Sequence, residues 1–99
     1  MEKRHKYKPF LLRTNGKKEQ VNPKNGTDFS LDELQGFVHG YIQIVHLGRG
    51  EIMVINEEGK LMNLPLNKEA TIIAKWNGAI SSKDAIVGNA LLCHESMVK

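Results

Sequence analysis

The chain has 99 residues, 40% of them hydrophobic, with a formal net charge of +3 and a single cysteine, Cys93. That length suits one domain with one modest core. A lone cysteine excludes an internal disulfide framework, and no apolar run approaches the roughly 18–20 residues that span a bilayer.

Charge is unevenly placed. Residues 1–24 hold Lys3, Arg4, Lys6, Lys8, Arg13, Lys17, Lys18 and Lys24 against Glu2 and Glu19, eight minus two, or +6. The rest of the chain holds six basic and nine acidic side chains, or −3. An electropositive start on a mildly acidic body favours an anionic partner. The opening MEKRHKYKPFLLR has only PFLL behind its basic residues. A secretory signal needs about 7–15 apolar residues, so a cytoplasmic location is expected.

Residues 1–6 read as a basic arm and 7–99 as a single domain. Tyr7 to Arg13 reads as a strand, with Pro9 confining it to an edge or a strand start. Asn15-Gly16 signals a hairpin, with a short return strand over residues 19–22, and Asn25-Gly26 a further turn. Ser30 followed three residues later by Glu33 is a capping box that opens a helix. Leu31, Leu34 and Val38 share its apolar face, and Gly40 suits the position after its end.

Tyr41 to Leu47 and Ile52 to Asn56 are the strongest strand signals, joined by Gly48-Arg49-Gly50-Glu51. Alternation sets Ile42, Ile44 and His46 on one face and Tyr41, Gln43, Val45 and Leu47 on the other. Neither face is cleanly polar, which predicts cover on both sides. With two short helices available, a second subunit is the expected cover for the face of Tyr41, Val45 and Leu47. Asn67 caps a second helix, with Ala70, Ile73, Ala74 and Trp76 as its buried stripe and Gly78 as its stop. Ala85 to Leu92 reads as the last strand, with Gly88 marking a bulge. Leu34, Ile44, Val54, Ile73 and Val87 are the expected core.

The fold class is therefore α+β, a small and mainly antiparallel sheet with two short helices. The order β-α-β-β-α-β also matches the ferredoxin-like split arrangement.

Catalytic signals are weak. His5, His39, His46 and His94 lie far apart, and Cys93-His94 is adjacent, so the close pairs of a zinc site are missing. The chain has no GxSxG elbow and no GxGxxG or GxxxxGKS/T phosphate loop. Glu57 and Glu58 sit in a turn, where carboxylates point into water. The expectation is a protein that is not an enzyme and uses no metal or cofactor. Arg13, Arg49 and Lys60 fall at strand ends or turns where cations could meet phosphates, and Asn56 could meet a base or ribose edge. These four are the candidate ligand-binding residues.

The succession GYIQIV, VINEEGKL, LPLNKEA and AIVGNALL resembles domain-of-unknown-function family 3846, small proteins of bacteriophages and mobile elements, over about residues 7–93. The family's aspartate after the last-strand glycine stands here as Asn89. The resemblance implies an α+β domain of phage type in a bacterial host cell, and no established activity. The functional expectation is a homo-oligomeric phage or mobile-element accessory protein that binds an anionic ligand. In its sharper form, by analogy with other small phage proteins, it is an anti-defence sponge that sequesters a nucleotide second messenger. The alternative is a protein- or DNA-interaction module that uses the basic N-terminal segment.

Overall fold

The computed structural model describes residues 8–98. The basic arm and Tyr7 lie outside them. In chain order the elements are β1 (Phe10–Leu12), β2 (Lys18–Gln20), α1 (Leu31–Val38), β3 (Ile42–Gly48), β4 (Glu51–Asn56), α2 (Lys68–Trp76) and β5 (Ala90–His94), followed by a 3₁₀ turn at Glu95–Met97. The strands form one sheet in the order β2-β1-β5-β4-β3, and every neighbouring pair is antiparallel. The fold is α+β, as expected.

The ferredoxin-like order is not the one adopted. In the split arrangement the first strand of the β-α-β-β-α-β order lies between the last and the third, whereas here the last strand, β5, lies between β1 and β4. The β1–β2 hairpin also adds a fifth strand at the edge. It leaves the chain at one edge of the sheet, so α1 must carry it to the opposite edge before β3 begins.

Alternation along the strands divides the core in two. Leu11, Ile52, Val54, Leu91 and Cys93 face α1, where Leu34 and Val38 meet them with Phe29 and Met97. Leu12, Val45, Leu47, Met53, Ile55 and Ala90 face α2, where Ala70, Ala74 and Ile86 close the other side. One helix thus covers each face of the sheet. α1 contributes Leu34 and Val38, both buried, to its layer, so Leu34→Ala is expected to cost about 2–5 kcal/mol in urea unfolding. A loss below about 1 kcal/mol would contradict its place in that layer.

The capping box forms as read: Ser30 Oγ accepts from Glu33 N at 3.1 Å, and Ser30 N donates to Glu33 Oε1 at 2.8 Å. The backbone N–H groups of Ser30 and Lys24 hold the Glu33 carboxyl below its ordinary range. The helix end differs from the reading. The left-handed residue is His39, at φ 65°, and not Gly40. Gly40 is small for another reason: a Cβ there would sit 2.8 Å from Asn56 Nδ2. Arg49-Gly50 forms a two-residue hairpin turn with φ of 57° and 82°, the positive pair that matches strand twist.

Four core expectations are corrected. Val45 and Leu47 are buried under α2 within the chain, so that face of β3 needs no second subunit. Ile44, on the edge strand β3, is 36% exposed. Leu31 and Trp76 point outward. α2 buries Ala70 and Ala74 as expected, with Thr71 in addition, small side chains that let the helix lie close to the sheet. The last strand begins at Ala90 and runs to His94. Residues 85–87 form a segment tied to α2, with Ile86 N donating to Thr71 Oγ1 at 2.9 Å, before Gly88 turns the chain at φ 80°.

Candidate functional site

Two concave surfaces gather polar side chains. The first is a cleft of about 160 Å³ at the end of the sheet where β4 finishes, lined by Gln43, Asn56, Glu57, Lys60, Asp84 and Val87 among others. Lys60 Nζ donates to Asp84 Oδ1 at its mouth. That bond, with a second from Ala85 N, holds the Asp84 carboxyl below its ordinary range. Asp84 is therefore charged at neutral pH and the pair is lost when acid protonates it, although both side chains are largely exposed and the pair is worth little to stability.

Asn56 forms the cleft's inner wall and is 4% exposed. Its Nδ2 donates to Val38 O at 3.0 Å, and its Oδ1 accepts from Glu58 N at 2.7 Å. The amide thus joins the end of α1 to the turn after β4. Asn89 acts in a related way, accepting from Thr14 N at 3.3 Å and donating to Phe37 O at 3.4 Å. Two asparagines thereby serve carbonyls of the last turn of α1, which have no partner within the helix. An aspartate at position 89 would have no donor for Phe37 O at neutral pH.

The second surface is a shallow groove of about 230 Å³ on the α2 side of the sheet, lined by Lys8, Phe10, Lys18, Glu51, Leu92 and Cys93. The β1–β2 register sets Lys18 opposite Leu12, and Lys18 Nζ stands 4.8 Å from the centre of the Phe10 ring. That is the range of a cation–π contact. Lys17 and Lys24 are exposed in the same basic segment. Cys93 borders the groove, but its side chain is buried on the opposite, α1 face of the sheet, and burial pushes its thiol up to about 12. A thiol kept protonated is a poor nucleophile.

Cys93 therefore makes a pH prediction. The unfolded thiol ionises near about 8.5 while the folded one stays neutral. The unfolded state then holds fewer protons, so stability should be intact below that pH and fall as pH rises through the alkaline range toward the folded value. A disulfide-exchange reagent at pH 8 should label Cys93 at the rate of unfolding. Rapid stoichiometric labelling of the folded chain would contradict its burial.

The four candidate residues do not converge. Asn56 and Lys60 share the cleft. Arg13 follows β1 and donates from Nε to Glu19 Oε1 across the hairpin. Arg49 lies in the β3–β4 turn at the other end of β4, about 17 Å from Asn56 by strand rise. The groove of Lys8, Phe10 and Lys18 was only half legible. The basic segment and Phe10 stand out in the sequence, but the pairing that puts Lys18 over the ring depends on hairpin register. The partners Glu19 and Asp84 were missed; the Arg13–Glu19 pair follows once the Asn15-Gly16 hairpin is drawn, while the Lys60–Asp84 pair has no local signal.

Among the described residues, no three His, Cys, Asp or Glu side chains group as a metal site, and no helix is long and apolar enough to cross a membrane. No curated protein and no solved structure matches the chain. A family profile does match, over residues 8–97, and the chain belongs to that family, described as Domain of unknown function (DUF3846).

Proposed function

We propose that the chain is a non-enzymatic binding protein for an anionic partner, engaged through the basic β1–β2 segment. The observation that carries this reading is the groove in which Lys8 and Lys18 flank Phe10. Lysines track a phosphate backbone, and the face of an aromatic ring is a stacking platform for a base, the combination used for single-stranded nucleic acid; Phe10 is half-buried between them. Two observations support the non-enzymatic part: the buried, protonated Cys93 thiol and the structural engagement of Asn56.

A second reading places a nucleotide second messenger in the cleft, as a phage anti-defence sponge in the bacterial cytoplasm. Lys60 beside Gln43 favours it. It ranks lower because Lys60 is neutralised by Asp84, and Glu57 adds negative charge.

The test is binding of a labelled single-stranded oligonucleotide across a salt series, with calorimetry against cyclic and linear nucleotides alongside. Affinity should fall with salt, and Lys18→Ala should reduce the salt slope by about 0.7. Deleting residues 1–6 should leave part of this binding, since the groove lies outside the arm. Nucleotide binding that Lys60→Ala abolishes, without oligonucleotide binding, would overturn the first reading in favour of the second.

A further inference from the structure

The two edges of the sheet are built differently. β2 is three residues long, Lys18-Glu19-Gln20, and wholly exposed. Short charged edges resist pairing with another chain. β3 is seven residues long and reads Ile-Gln-Ile-Val-His-Leu-Gly, without proline, lysine, arginine or carboxylate. Its one irregularity is a register shift at its far end, between His46 and Gly48. Among the described residues it has β4 on one side and no strand on the other.

The register states which backbone groups face outward. Glu57 N donates to Tyr41 O at 2.8 Å, in line with the pairing of Ile42 with Asn56 and Gln43 with Ile55. Hydrogen-bonded pairs alternate along an antiparallel ladder, so Tyr41, Gln43 and Val45 bond to β4. A bond on the far side of β4 agrees: Glu95 N donates to Gly50 O at 2.7 Å, in line with the β4–β5 register. That assigns the even positions of β4 to β5 and its odd positions to β3. The N–H and C=O of Ile42, Ile44 and His46 therefore point away from the sheet.

Their side chains share the α1 face, where cover is incomplete. Ile42 packs against the α1 layer, while Ile44 is 36% and Leu31 57% exposed. Leu31 and Ile42 line one hollow with Phe29, Leu34 and Val98. Outward backbone groups and half-covered apolar side chains thus occupy one continuous strip.

We infer that β3 is a subunit interface at which two copies of this chain pair their β3 strands antiparallel about a two-fold axis at Ile44. The outward set is symmetric about that residue: Ile44 exchanges both backbone bonds with its own mate, and Ile42 exchanges them with His46 of the other copy. A two-fold contact of this kind is self-complementary and closes at two chains. It joins two five-stranded sheets into one and brings Ile44 against Ile44. This interface differs from the one expected from the sequence, whose Val45 and Leu47 are inside the chain. It is independent of the ligand reading above.

The test is sedimentation of the wild type, Ile44→Lys and Ile44→Glu, with amide exchange on the wild type. The wild type should sediment as two chains at micromolar concentration, and the amides of Ile42, Ile44 and His46 should be protected from exchange. Each variant should be a single folded chain, because like charges would meet at the axis. An equimolar mixture should restore a two-chain species with one chain of each kind. A wild type that stays a single chain with those three amides unprotected overturns the inference, even if it takes up an extended peptide from another protein. So does a variant that keeps the two-chain species, or a mixture of folded variants that fails to restore it. The wild-type measurements decide the matter should a variant fail to fold.

Discussion

Val45→Asp is expected to unfold the chain. Val45 pairs with Met53 across β3 and β4 and lies in the layer closed by Ala70, Ala74 and Ile86 of the α2 side. A carboxylate there leaves water for apolar surroundings. An uncompensated buried charge costs about 3–5 kcal/mol, a large share of the roughly 5–15 kcal/mol that stabilises a domain of this size. Far-UV circular dichroism with urea titration should show a lost or strongly lowered transition at pH 7. Partial recovery is expected on acidification, because burial raises the carboxyl's folded pKa and protonation removes the charge. A chain that kept its urea midpoint and changed only its subunit number would instead place Val45 at an interface.

Asn67→Ala is the second large effect. Asn67 is fully buried, and each polar atom of its side chain is used. Its Nδ2 donates to Leu12 O at 2.9 Å and Gly88 O at 2.8 Å, and its Oδ1 accepts from Ala70 N at 3.1 Å. The residue therefore caps α2 and ties it to the end of β1 and the turn before β5. Truncation removes a cap worth about 1 kcal/mol and strands two carbonyls at about 1–3 kcal/mol each. The expected loss is about 3–5 kcal/mol after partial relaxation. Asn67→Asp should not rescue it at pH 7, since a carboxylate keeps the cap acceptor but has nothing to donate to Leu12 or Gly88. A loss below about 1 kcal/mol for either variant would show that Asn67 is only a cap.

These two residues mark what local sequence can and cannot reveal. The cap at Asn67, the capping box at Ser30 and Glu33 and the turn at Arg49-Gly50 depend on a few adjacent residues, and all three were legible. The two further carbonyls on Asn67 come from positions 55 residues before and 21 after it in the chain, which no local pattern contains. Periodicity on α2 offered Ala70, Ile73, Ala74 and Trp76 as its buried stripe, and Ile73 does pack, half-buried, against the core. Packing added Thr71 and left Trp76 88% exposed. The end of AIVGNALL was legible as strand, but its start was not. Thr71 holds Ile86, and Gly88 turns before pairing begins. The candidate cations fail to converge for a similar reason. Arg13 and Lys60 found carboxylates through the hairpin and the loop after α2, and the length of β4 separates Arg49 from Asn56.

Amide chemical-shift mapping during titration with a short single-stranded oligonucleotide tests the functional account most directly. The account predicts shifts concentrated at Lys8, Phe10, Lys17, Lys18 and Leu92, weakening as salt rises. Shifts confined to Gln43, Glu57, Lys60 and Ala85, or no shifts at low salt, would contradict it.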